Sequence, residues 1–153
     1  MVDWNVRKKS MMNIPTHEHR WLTKFTTGFC GTGKMLKLYK FQDHDNCPRC
    51  NSPKEHTQHT LQCPHTEARE MWTKQLNSLH EWMSKSLYPN EMILTIIDRL
   101  ESWIVNRTPT YSPCDSSLKK AVKAQDAIGW MQFIEGFWSK EWAHSLGLYY
   151  KRL

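Results

Sequence analysis

The apolar positions of this chain fall into stripes at steps of three and four residues, the spacing of one helix face. The longest stripe is Ala68, Met71, Trp72, Leu76, Leu79 and Met83, and it predicts an amphipathic helix capped at Thr66 and running to about Leu87. Glu67 and Glu70 near its start and Lys85 near its end suit the helix dipole. Tyr88-Pro89-Asn90 then breaks the chain, and Asn90 is expected to cap a second helix to about Asn106 with Ile93, Ile96, Ile97, Leu100 and Ile104 inward. The two are expected to pack as an antiparallel hairpin over 66–107, with the Met and Trp residues of both stripes as core.

Further along, TPTYSPC carries two prolines and no periodicity, so 108–114 reads as a linker between subdomains. Asp115 or Ser116 can cap a helix that buries Leu118, Val122, Ile128, Met131 or Gln132, and Phe133, and ends at Gly136, with Gly129 allowing close approach. Ser139 starts a last helix with Trp142, Leu146 and Tyr149, finishing in Lys151 and Arg152, so that 115–153 forms a C-terminal helical pair. Gln125, if buried there, needs hydrogen-bond partners.

Upstream, residues 1–15 hold Arg7, Lys8 and Lys9 beside Met11 and Met12 and stop at Pro15, which suggests a flexible arm with room for a short strand. Thr16 can cap a helix through HEHRWLTKF with Trp21 and Phe25 on its inner face, ended by Gly28. The following GFCGTGKM formally fits the start of a phosphate-binding loop. Met35 stands where a metal-binding hydroxyl belongs, no apolar strand precedes the glycines and no acidic metal partner follows, so no nucleotide is expected. A glycine turn into a helix explains it better, with Met35 and Tyr39 inward and Lys34 and Lys37 forming a basic stripe with Lys24 and Lys40.

Candidate chemistry concentrates between Asn46 and Pro64, in NCPRCNSPKEHTQHTLQCP. Cys47, Cys50, His59 and Cys63 follow the spacing C-x2-C-x8-H-x3-C. A CPRC turn lets two sulfurs converge on one ion, and His59 and Cys63, four apart, share a helix face. Three thiolates and one imidazole are a usual structural zinc set, and a filled tetrahedron leaves no place for a reacting water. His56, seven before Cys63, is the alternate ligand, whereas His65 points elsewhere and is expected in solvent. His17 and His19 find no third donor and are read as surface residues.

CPRC followed by Glu55, Gln58-His59, Leu61 and Cys63 resembles the C-P-x-C, then E-x2-x-H-x-L-x-C, pattern of the zinc-binding region downstream of reverse transcriptase domains in non-LTR retrotransposons and in open reading frames derived from them. The approach segment WLTKFTTGFCGTGKMLKLYKFQDHDNC resembles the same family, so that the likeness covers about residues 20 to 65. QDAIGWMQFIEGFWSKEW is similar to an extension in such frames. No Tyr-x-Asp-Asp type acidic pair occurs, and 153 residues are too few for the polymerase. The resemblance implies a detached accessory module, or a remnant of one, that binds RNA or DNA.

Charge sharpens this picture. The formal net charge is +6, and residues 1–54 carry ten Lys or Arg against four Asp or Glu, whereas 55–153 carry eleven of each. Lys24, Lys34, Lys37, Lys40, Arg49 and Lys54 are therefore the expected phosphate contacts. Five cysteines, three committed to metal, leave Cys30 and Cys114, too few for a disulfide framework, and suit a reducing compartment, cytoplasmic or nuclear. No stretch has the length of a membrane span and no signal-peptide core follows Met1. No enzyme is expected: Asp98 and Glu101 read as a solvated helix face, and neither Cys30 nor Cys114 has an activating histidine nearby in sequence. The expectation is a mainly α protein, with a small zinc-knuckle module over 16–65 followed by two antiparallel helical pairs. It binds nucleic acid, or alternatively serves as a zinc-stabilised protein-interaction scaffold meeting a reverse transcriptase domain or another copy of itself.

Overall fold

The computed structural model describes residues 1–151, and it is mainly α-helical, with no β-strand among them. The helices run in the order α1 (Trp4–Met12), α2 (Thr16–Thr26), α3 (Gly33–Leu38), α4 (Thr57–Gln62), α5 (Thr66–Lys85), α6 (Asn90–Val105), α7 (Ser116–Ile128), α8 (Trp130–Ile134) and α9 (Lys140–Tyr150). None is long and apolar enough to cross a membrane. The chain divides into two compact units, one of residues 13–72 and one joining residues 1–12 to 73–151. These boundaries differ from the expected ones at 15, 65, 107 and 114, because pairing distant in sequence, rather than punctuation along it, decides which segments share a core.

In the larger unit the arm expected at 1–15 is mostly a helix. Asp3 Oδ1 accepts from the N–H groups of Asn5 and Val6, 3.1 Å each, which satisfies the start of α1. The arm is tied down by Asp3 N–H donating to Trp138 O at 2.7 Å, by a bridge between Val2 and Ser139, and by the Arg7 guanidinium 3.7 Å from the centre of the Phe137 ring.

The α6 stripe buries Ile93, Ile96, Leu100 and Ile104 as expected, with Ile97 half-buried. Pro89, not Asn90, occupies the cap position of α6. The long helix expected from 116 to 136 is two. Gly129, at φ 109°, separates α7 from α8, and a Cβ there would run into the Gln132 side-chain oxygen. Antiparallel packing of α7 on α9 is fixed at both ends, by Ser117 Oγ against Ser145 Oγ at 2.8 Å and by Gln125 against the start of α9.

Gln125 is fully buried, and all four of its hydrogen-bonding capacities are used. Its Nε2 donates to Gly129 O at 3.0 Å and Phe137 O at 3.1 Å, while its Oε1 accepts from Ser139 N–H at 3.0 Å and Trp142 Nε1–H at 3.2 Å. One side chain thus closes α7, the 135–139 turn and α9 on each other.

Residues 108–114 do not link separate bodies; they lie on α6. Asp98 accepts from Thr110 N–H at 3.0 Å, Thr110 Oγ1 at 2.7 Å and Tyr111 N–H at 3.0 Å, and Glu91 Oε1 accepts from the N–H groups of Cys114 and Asp115. Arg107 bridges Asp98 and Glu101 at 3.6 and 3.0 Å. The pair expected to be solvated is therefore half structural anchor, with the Asp98 side chain only 11 % exposed. Burial pushes the Asp98 carboxyl up, but the Tyr111 and Thr110 donors and Arg107 outweigh it and hold the carboxyl below its ordinary value. A carboxylate held low in the folded chain stabilises above the ordinary Asp range and loses that contribution as pH falls through the folded value. Asp98→Ala is expected to cost about 2 kcal/mol near neutral pH, with the gap from the parent closing in acid; thermal unfolding across pH checks it.

Candidate metal centre

Residues 13–72 are built around the cysteines. Cys47, Cys63 and Ala68 form one buried cluster with Cys50 packed against it. Cys47 and Cys50 come from the CPRC turn, which Cys47 O closes by accepting from Asn51 N–H at 2.9 Å. His59 projects from α4, and Cys63 sits one residue past that helix, in extended rather than helical backbone. The donor atoms of Cys47, Cys50, His59 and Cys63 all lie within 4.8 Å of one another. Cys47 Sγ and Cys63 Sγ are 3.9 Å apart, and Cys50 Sγ is 3.2 Å from His59 Nε2. Two sulfurs each at a zinc–thiolate bond length from one tetrahedral ion stand about 3.8 Å apart, so the observed spacing suits such an ion. These four residues can hold one metal ion.

The thiols differ in readiness. The Ser52 hydroxyl, 3.3 Å from Cys50 Sγ, and the Ser52 backbone bring the Cys50 thiol down to about 6, whereas burial pushes Cys47 up. The rival ligand His56 is otherwise engaged. It caps α4, its Nδ1 accepting from His59 N–H at 3.2 Å, so it positions the ligand helix rather than joining the cluster. His65, expected in solvent, is half-buried, and its Nδ1 is enclosed without a partner.

Three side chains then take the last carbonyls of α4. Arg49 Nη2 donates to Thr60 O at 3.1 Å, Trp72 Nε1 to Leu61 O at 2.6 Å and Arg69 Nη2 to Gln62 O at 3.2 Å. Their convergence fixes the helix that carries His59 and delivers Cys63.

The glycine turn is tied to the same centre by Glu55. Its carboxylate is buried, and Oε2 accepts from Gly33 N–H at 2.6 Å while its carbonyl accepts from Lys34 N–H at 3.0 Å. Gly33 has no room for a side chain, since a Cβ would stand 2.6 Å from Asp45 O. The amide that a phosphate-binding loop would aim at its anion is thus already held by a carboxylate of the chain itself. In the sequence Glu55 stands out only as part of the motif, because its partner lies 22 residues away and no local signal marks it.

Lys24, Lys34, Lys37, Lys40, Arg49 and Lys54 all fall within residues 13–72 and are exposed. Two are partly engaged: Arg49 at Thr60 O, and Lys37 Nζ 3.5 Å from Asp45 Oδ2. The basic excess read over 1–54 is divided, because Arg7, Lys8 and Lys9 belong with the other unit. Residues 13–72 keep eight Lys or Arg against six Asp or Glu. Three expected inward faces are exposed instead: Trp21 (60 %), stacked on buried Phe25 with ring centres 5.2 Å apart, Tyr39 (54 %) and Met71 (59 %).

In the larger unit a cavity of about 200 Å³ is lined mainly by apolar side chains including Met83, Met92, Phe133 and Trp142. Two of its polar lining residues serve as caps, Asp3 through Oδ1 at the start of α1 and Ser139 through Oγ at the start of α9.

The described residues thus form a mainly helical protein in which three cysteines and one histidine converge so that they can hold a metal ion. Comparison with protein-family models, with curated proteins and with solved structures found no match to the chain.

Proposed function

We propose that the chain is a zinc-binding accessory module of a retroelement reverse transcriptase, or its remnant, that binds nucleic acid through the basic surface of residues 13–72, with one zinc ion as a structural centre. The observation that carries this reading is the convergence of Cys47, Cys50, His59 and Cys63, the residues in which the resemblance to that family resides. With four protein donors the set is closed, which suits an ion that holds the fold rather than one that reacts. The reading gives the chain no catalytic role of its own.

Metal content by mass spectrometry tests the centre. One zinc per chain is expected, lost in Cys63→Ser and kept in His56→Ala; a parent chain that purifies without metal would refute it. Nucleic-acid titrations across salt test the surface. Affinity is expected to fall steeply with added salt, and Lys34→Ala to flatten the log–log slope by about 1. Salt-independent binding, or none, would sink the basic-surface reading. A scaffold role is favoured by the exposed Trp21 and Met71. It would replace the first reading if Trp21→Ser or Met71→Ser broke an assembly that Lys34→Ala left intact.

A further inference from the structure

Helix α3 ends in a turn that the metal does not explain. Lys40 N–H donates to Lys37 O at 3.0 Å and Phe41 N–H to Leu36 O at 2.9 Å, the paired bonds of a Schellman cap, with Lys40 left-handed at φ 60°. Glycine is the usual residue at that position, since a Cβ is strained there. The next residue of such a cap commonly packs back on the helix, yet Phe41 is 79 % exposed, and Tyr39 is 54 % exposed. A backbone fixed by two hydrogen bonds therefore holds two aromatic residues, two positions apart, in water, with Lys37 and Lys40 exposed beside them.

Exposed aromatic residues interleaved along the chain with exposed lysines suit a ligand that offers both unstacked π faces and a line of negative charge. A duplex keeps its base faces inside its own stack, whereas a single strand exposes them. We propose that Tyr39 and Phe41 form a stacking platform for single-stranded nucleic acid, with Lys37 and Lys40 meeting its phosphates. This rests on the nucleic-acid reading above and adds which form of nucleic acid the surface takes. A second copy of the chain is a poorer occupant, because a symmetric contact through this turn would bring Lys37 and Lys40 against their own kind.

The test uses the full zinc-loaded chain and fluorescence anisotropy with a labelled oligothymidine and a blunt duplex of equal length. The single strand is expected to bind more tightly than the duplex. Phe41→Ala and Tyr39→Ala should each weaken the single strand by about tenfold while sparing duplex binding and the salt slope. Lys40→Gly, which keeps the turn, should instead flatten the slope by about 1. Unchanged zinc content in each variant shows that the fold survives. If both ring variants bind like the parent, or the duplex binds as well as the single strand, the platform is overturned while the basic surface stands. Absence of binding to either polymer at low salt overturns the basic surface itself, and the platform with it. Self-association lost in Phe41→Ala with nucleic-acid affinity unchanged would assign the turn to a second copy and overturn the proposal.

Discussion

Removing the metal from the purified chain is expected to unfold residues 13–72 and leave the remainder helical. The smaller unit has little core besides its cysteines: Phe25, Met35 and Ala68 are its buried apolar side chains apart from Cys47 and Cys63. Those sulfurs stand 3.9 Å apart because the surrounding fold converges on one point. Without an ion, thiols crowded against an imidazole have lost the bond that rewards their approach, and binding energy in such sites is folding energy, on the order of 10 kcal/mol. The larger unit owns a separate core around Ile96, Leu100, Phe133 and Trp142. Far-UV circular dichroism should therefore drop by roughly a third on chelation, the share contributed by α2, α3, α4 and the first turns of α5. Cys63→Ser should reproduce the loss without chelator. A complete collapse would show that the two units stabilise one another, and no change would show that the ion has no part in folding.

Gln125→Met is expected to be the most damaging single change in the larger unit. Methionine nearly matches glutamine in length and volume, so little cavity forms, and the cost isolates the hydrogen bonds. Two donors, Ser139 N–H and Trp142 Nε1–H, and two acceptors, Gly129 O and Phe137 O, would lose this partner in a fully buried site. An unsatisfied buried group costs about 1–3 kcal/mol, and the four share one locus, so a total near 3–5 kcal/mol is expected rather than their simple sum. Urea unfolding should move to a much lower midpoint, with metal content unchanged since Cys47, Cys50, His59 and Cys63 belong to the other unit. A loss below about 1 kcal/mol would mean that the local backbone finds water or new partners.

The ligand set was legible because its parts lie within 17 residues and each ligand type has a strong chemical signature. The α6 stripe was legible because a helix face repeats regularly, and Ile93, Ile96, Leu100 and Ile104 are buried as that repeat predicts. Periodicity, however, reports which residues share a face, not whether anything covers it, and so Trp21, Tyr39 and Met71 were misplaced. Gly129 was noticed as a point of close approach, but its left-handed backbone divides a helix whose apolar pattern runs straight across the break. The need of Gln125 for partners could be stated from chemistry alone; their identity could not, since three of the four lie 12 or more residues away. The first helix was missed despite a local signal, Asp3 standing where it can cap Asn5 and Val6.

The docking of that first helix bears on the order in which the molecule is made. Arg7 Nη1 donates to Glu135 O, a partner 128 residues later, and Asp3 waits for Trp138. Residues 1–12 leave the ribosome before their partners at 135–139, more than a hundred positions later. The unit of residues 13–72 between them closes through short separations, 16 residues from Cys47 to Cys63 and 22 from Gly33 to Glu55, and can be complete while synthesis continues. Once formed, it takes slack out of the loop that the early segment must close. Residues 1–12 are thus made before the rest of their unit and placed after it, and in refolding their amides should be the latest to gain protection from exchange.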